Sequence, residues 1–300
     1  MNIVSLLPAA TEIVAFLGAS DRLVGITHEC DYPDVVGSRA RVTRSAIPHS
    51  HDPAVIDAAV REQSGQGHAL FTLDESRIRA LHPTLLLTQA LCDVCAVSET
   101  DVRALANRLT PVPIVVTLGG TTLDGIYADI QAVADAVDAQ SDAEELLAGL
   151  RDRVKHVHET LKAAKAPRPR VVVIEWTAPV FVAGHWGPEQ VKRAGGIDVV
   201  GTAGAHSTTV SMDALKLADP EIVLIAPCGY SLAAATAEAE QLLRLEAWSW
   251  LAGRQVWALD ANGLVSRPGP RVVDGIETMA RIFNPGLFST VDARHARRIA

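Results

Sequence analysis

The chain has 300 residues, a formal net charge of −8, 48% hydrophobic residues and 21% charged residues. That length is too great for one typical core and suits two, and the apolar content excludes a disordered chain. No basic stripe is present, which argues against nucleic acid as the partner. No apolar run reaches the roughly 18 residues that would span a membrane.

Strand-like and helix-like segments alternate, the pattern of βαβ units. Residues 2–6 predict a strand, and 8–18 a helix with Pro8 in its first turn and Gly18 at its end. A strand follows at 23–27. Asp52 and Pro53 open a helix to about Gln63, and Asp74 caps a short one to Leu81. Residues 84–88 read as a buried apolar strand, Ser98 caps a helix to Leu109, and 113–117 is the next strand. From Thr122 to Lys165 the period is helical, with a break at 139–142. The second segment, 142–165, would be about 35 Å long. Strands then fall at 170–174, 222–226 and 255–259; helices fall at 188–194, 211–218, from 226 to about Arg244, and at 270–283. The expected fold is α/β: two Rossmann-like lobes with parallel sheets (1–120 and 167–300) and a linker, 121–166, that includes a rigid helix at 142–165. The ligand cleft is expected between the lobes.

The halves echo each other. The segment from Asp74 through His82-Pro83 into an apolar strand matches the segment from Ser211 through Asp219-Pro220 at a constant offset.

Four cysteines each follow a predicted strand: Cys30, Cys92 and Cys95 as a C-x-x-C, and Cys228. In open α/β sheets, ligands bind beyond the carboxyl ends of the strands. Four thiols there point to zinc, copper(I), an iron–sulfur cluster or redox chemistry; the alternative is four small buried hydrophobes. His28 stands two residues before Cys30 and is either a further ligand or a hydrogen-bonded loop residue. Gln89, just before the C-x-x-C, is a candidate ligand contact. Only 4% of residues are aromatic, so Trp176, Phe181 and Trp186 form a local enrichment. They suit either a wall for a flat chelate or a small satellite core. His49 and His51 read as a solvated loop, His185 and His206 as minor ligand candidates, and Trp248 and Trp250 as core. No Walker or G-x-G-x-x-G pattern supports a nucleotide, and no nucleophile elbow or Ser–His–Asp set supports a hydrolase. Strand-like residues 2–6 stand where a leader would be, so the chain as written reads as cytoplasmic, or as periplasmic if a leader has been removed.

Several segments in order resemble the class III substrate-binding proteins of ABC importers, in particular the cobalamin- and iron-chelate-binding branch. They are 3–12 (Ile-Val-Ser-Leu-Leu-Pro-Ala-Ala-Thr-Glu), Leu17-Gly18, Asp31-Tyr32-Pro33, Leu81-His82-Pro83, 189–196 and 266–271. The absent leader and the cysteines mark a leaderless, cysteine-containing subgroup. The resemblance implies that cobalamin, another corrinoid or a metal chelate is held between lobes joined by a helix. It sets Tyr32 against the ligand, with Asn262, Gly263 and Arg267 on the opposite wall. It also implies an ABC permease as partner, docked through Glu99 and Asp213. The alternative is a cytosolic metalloprotein or enzyme with a cysteine-ligated metal or iron–sulfur centre in the same cleft.

Overall fold

The computed structural model describes all residues except 48, 49, 51, 67 and 92–96. The chain divides into two compact units. One is 1–120 with 124–148, and the other is 121–123 with 149–300.

The first unit contains β1 (Ile3–Ser5), α1 (Pro8–Phe16), β2 (Leu23–Ile26), β3 (Ala40–Arg41), β4 (Thr43–Ser45), α2 (Pro53–Gly65) and β5 (Phe71–Leu73). It continues through α3 (Glu75–Ala80), β6 (Leu85–Gln89), α4 (Glu99–Ala106) and β7 (Ile114–Leu118) to most of α5 (Leu123–Ala136). Five strands form a parallel sheet in the order β3-β2-β1-β6-β7, and β4-β5 is a separate antiparallel pair. Every residue of β6 is buried, as expected of a central parallel strand covered on both faces. The helix starts are local chemistry. Asp52 accepts from the Ala54 N–H, Asp74 from Arg77 and Ser98 from Asp101, so each cap satisfies an amide that the first turn leaves orphaned.

After β7 the chain turns through Gly119-Gly120. The Asp129 carboxylate on α5 accepts from the Gly120 N–H at 2.8 Å and from Gly119 at 3.1 Å. Burial raises the Asp129 pKa, and these two amides oppose the rise. Asp129→Ala would strand the buried Gly120 N–H, and a loss of about 1–3 kcal/mol is expected. Urea denaturation measures it; an unchanged midpoint would mean that water replaces the carboxylate.

Helix α6 (Gln140–Ala163) starts two residues before the expected break had ended. Asp138 takes a left-handed conformation (φ 56°), and the Ala139 N–H bonds to the Ala134 carbonyl at 2.9 Å. This closure ends α5 early, and the next helix begins at once. The same device ends α6: Lys165 has φ 50°, and the Ala166 N–H bonds to the Leu161 carbonyl at 3.0 Å. Residues of α6 up to 148 belong to the first unit and the rest to the second. In the second unit Arg153 anchors it, donating to Asp274 at 2.5 Å and to both Glu277 oxygens at 2.9 Å.

The second unit continues with β8 (Arg170–Thr177), β9 (Val180–Val182), α7 (Gly187–Arg193), β10 (Ile197–Asp198), β11 (Thr208–Thr209), α8 (Met212–Ala218) and β12 (Ile222–Ile225). It ends with α9 (Leu232–Leu242), β13 (Gln255–Leu259), α10 (Ala261–Leu264), α11 (Val272–Phe283) and β14 (Ala296–Arg298). Its sheet is mixed, not parallel throughout. β8, β12 and β13 pair in parallel, whereas β9, β11 and β14 add antiparallel edges. A two-residue turn at 178–179 forces the first of these, because parallel neighbours need a long crossover. Trp248 lies in this unit's core with Trp250 stacked on it, centroids 6.1 Å apart.

The internal echo has a backbone counterpart. α3 and α8 both follow an Asp or Ser cap, and each leads to a left-handed residue before proline: His82 at φ 46° and Asp219 at φ 42°.

Candidate functional site

In the first unit, the segment after β2 carries Thr27-His28-Glu29-Cys30-Asp31-Tyr32. Arg41 ties it down by donating to the carbonyls of Thr27 and Cys30. Cys30 is 2% exposed, and its Sγ lies 3.0 Å from Thr11 Oγ1. Thr11 donates to Ser5 Oγ at 2.8 Å, and Ser5 donates to the Leu7 carbonyl at 2.9 Å. Cys30 thus sits at the head of a short hydrogen-bonded chain that runs through Thr11 and Ser5. His28 Nδ1 stands 2.7 Å from Thr43 Oγ1, and the Thr43 hydroxyl donates to Thr27 Oγ1 at 2.9 Å. Tyr32 is 37% exposed and its ring stands 6.4 Å from that of exposed Phe16. Gln89 is buried at the end of β6, paired in the ladder with Leu118. Cys92, Cys95, His49 and His51 lie outside the described residues.

In the second unit, the carboxyl ends of β8 and β12 gather several side chains. Trp176 faces Phe181 across the β8–β9 pair, and Tyr230 meets the Trp176 ring edge-on at 5.8 Å. Cys228 is exposed, and its N–H donates to the Glu175 carbonyl at 2.9 Å. The Asn262 N–H donates to the Tyr230 carbonyl at 2.9 Å. Trp176, Phe181, Cys228, Tyr230 and Asn262 therefore share one end of this sheet. Trp186 is not with them: it is 7% exposed, and its indole N–H donates to the Val265 carbonyl at 2.7 Å. This is the satellite-core alternative for that one residue. Tyr230 escaped the sequence reading because one tyrosine after a strand carries no periodic signal. Gly263 is buried where a Cβ would collide with Asp260 Oδ2 and stand 2.6 Å from Arg271 Nη1. Arg267 is 5% exposed. Burial raises the Asp260 pKa, with Arg271 and then Arg267 opposing.

Beside this group, two loops are stitched together. The His185 N–H donates to the Ala205 carbonyl at 2.6 Å and the Gly204 N–H returns to the His185 carbonyl at 2.7 Å. Gly184 N–H donates to Ser207 Oγ at 3.2 Å, and Ser207 donates to Glu175 Oε2 at 2.5 Å. Burial pushes the Glu175 pKa to about 7; the Ser207 hydrogen bond opposes the rise, and the nearby Asp198 carboxylate adds to it. Asp198 is itself raised by burial, against hydrogen bonds from Val200 and Gly201. His185 Nε2 lies 3.3 Å from His206 Nδ1, and the His185 pKa is lowered by burial and then by His206.

At the proposed docking positions, Glu99 accepts from Arg103 at 2.7 Å and from Thr117 at 2.8 Å. The Asp213 side chain is 96% exposed, with Lys216 Nζ 3.9 Å away. Among the described residues, no group of three or more His, Cys, Asp or Glu is placed to hold a metal ion. No helix among them is long and apolar enough to cross a membrane.

The profile of the periplasmic binding protein family matches residues 3–255. The chain is 23% identical over 283 residues to the vitamin B12-binding protein of Vibrio cholerae, spanning 92% of this chain and 86% of that protein. It is 20% identical over 297 residues to YvrC, an uncharacterized ABC transporter substrate-binding lipoprotein of Bacillus subtilis, spanning 96% and 81%. Its fold is similar to that of a periplasmic heme-binding protein from Pseudomonas aeruginosa. That match has a TM-score of 0.72 and 21% identity, and it covers 100% of this chain and 98% of the other.

Proposed function

Because the chain belongs to the periplasmic binding protein family, we propose that it is the ligand-capturing subunit of an ABC importer and that its ligand is a flat metal chelate of the corrinoid or heme class. The observation that carries the ligand class is the grouping of Trp176, Phe181 and Tyr230 beyond the strand ends of the second unit. Aromatic faces of this kind suit a conjugated macrocycle. Exposed Tyr32 in the first unit has the same chemistry. The relative that binds vitamin B12 supports the corrinoid choice. Asn262, whose backbone is tied to Tyr230, supplies a polar group for the macrocycle's amide or carboxylate side chains. Exposed Asp213 and, less freely, Glu99 offer acidic contacts to arginines of a permease. This role places the protein outside the cytoplasmic membrane.

Titration with cyanocobalamin and, separately, with hemin tests the reading through ligand absorbance and tryptophan fluorescence. A saturable spectral change with one of them is expected, and Trp176→Ala should weaken it about tenfold, the loss of one stacking contact of about 1.4 kcal/mol. Absence of any change or heat with both ligands would refute the chelate class.

A further inference from the structure

We infer that His185 and His206 form a two-imidazole site for a divalent transition-metal ion of the zinc, nickel or copper(II) class. The argument is geometric. Nε2 of His185 and Nδ1 of His206 are 3.3 Å apart, and the ring centroids are 5.2 Å apart with planes at 88°. Protein hydrogen bonds from N–H groups extend to about 3.2 Å between heavy atoms, so at 3.3 Å the pair stands at the long limit of a hydrogen bond. Two imidazole nitrogens held about 2.05 Å from one tetrahedral ion stand about 3.3 Å apart, with ring centres about 5.1 Å apart. Both observed separations match that bite.

The pair is also built in place. The reciprocal backbone bonds between His185 and residues 204–205 fix the two loops against each other. Ser207, next to His206, is held between the Gly184 amide and Glu175. The His185 backbone occupies the left-handed region (φ 48°), unusual for a residue other than glycine and a feature that clusters at functional sites. Its ring rests on Trp186, centroids 5.7 Å apart, so one face is fixed by the core. His206 is exposed, which gives an ion an entry path. Imidazole suits zinc, nickel and copper(II), and two protein donors leave the other coordination positions to water or to an oxygen or nitrogen donor of another molecule.

The test uses the full chain freed of metal with a chelator, then titrated with zinc by calorimetry and with copper(II) by electron paramagnetic resonance. Wild type is expected to take up one equivalent that both His206→Ala and His185→Asn lose or bind at least about tenfold more weakly. Asparagine tolerates the left-handed backbone at residue 185, and His206→Ala removes an exposed ring, so the metal-free unfolding midpoints should stay near wild type. If His185→Asn fails to fold, His206→Ala decides alone. The copper spectrum of wild type should show coupling to two nitrogens, reduced to one in His206→Ala. Uptake of the same number of equivalents at the same affinity in wild type and His206→Ala would overturn the proposal, as would no uptake by wild type. Chelate binding through the aromatic group does not depend on either outcome.

Discussion

Between about pH 4.5 and pH 7 the protein should lose stability, and Glu175→Gln should remove most of Glu175's share of that loss. Glu175 has an ordinary value of 4.5 and is pushed to about 7 in the fold. Between those values the folded chain holds a proton that the unfolded chain has released. Rising pH therefore favours unfolding across that window; below about 4.5 the penalty is absent, and above about 7 it is complete. The shift corresponds to at most roughly 3–4 kcal/mol, an upper limit because the side chain keeps some contact with water. Glutamine retains an oxygen to accept from Ser207 and presents no charge to Asp198, so the variant should be the more stable protein above pH 7. Urea midpoints of both proteins at the two pH values measure this. Asp129, Asp198 and Asp260 are raised in the same direction and persist in the variant, so the difference between the two slopes is the readout. Equal slopes would mean that Glu175 is ionised throughout.

Gly184→Ala should be among the most damaging small substitutions in the second unit. A Cβ there would collide with the Ser207 amide nitrogen and lie 2.5 Å from both the Ala205 oxygen and the His206 carbonyl carbon. All three are backbone atoms, so no side chain can swing away. The loops at 183–187 and 204–207 would have to part, breaking the His185–Ala205 bond and releasing Ser207 from the Gly184 amide. A loss of roughly 2 kcal/mol or more is expected, in the range of overpacked cores. Gly149→Ala is the control. That glycine is exposed on α6 with nothing within 4 Å of a Cβ, and alanine should stabilise by about 0.5–1 kcal/mol. Denaturation midpoints that move together for both variants would show that the loop contact is not as tight as its geometry.

Much of the fold was legible in the chain because its signals are local. Asp52, Asp74, Ser98 and Ser211 each cap the helix expected of them, because a cap needs only an amide two or three residues away. The fully buried β6 and β12 read as apolar runs for the same reason. The break between α5 and α6 was misplaced by two residues. Its cause is Asp138 in a left-handed turn, a conformation its residue type permits but does not announce.

The site was legible only as a set of candidates. Cys30 follows a strand as the other cysteines do, but its contact with Thr11, nineteen residues earlier, carried no signal in the sequence. Trp176 and Trp186 are ten residues apart and alike in composition, yet one stands with Phe181 and Tyr230 and the other is sealed under Val265. By itself the sequence determined the α/β class, the helix starts and the family, since these rest on residues near one another or on motifs kept in order. Only the tertiary structure decided which aromatics gather, which hydroxyl meets Cys30 and which carboxylates burial pushes above their ordinary range. Those properties belong to groups such as Glu175 and Ser207, which are far apart in the chain and meet only when it folds.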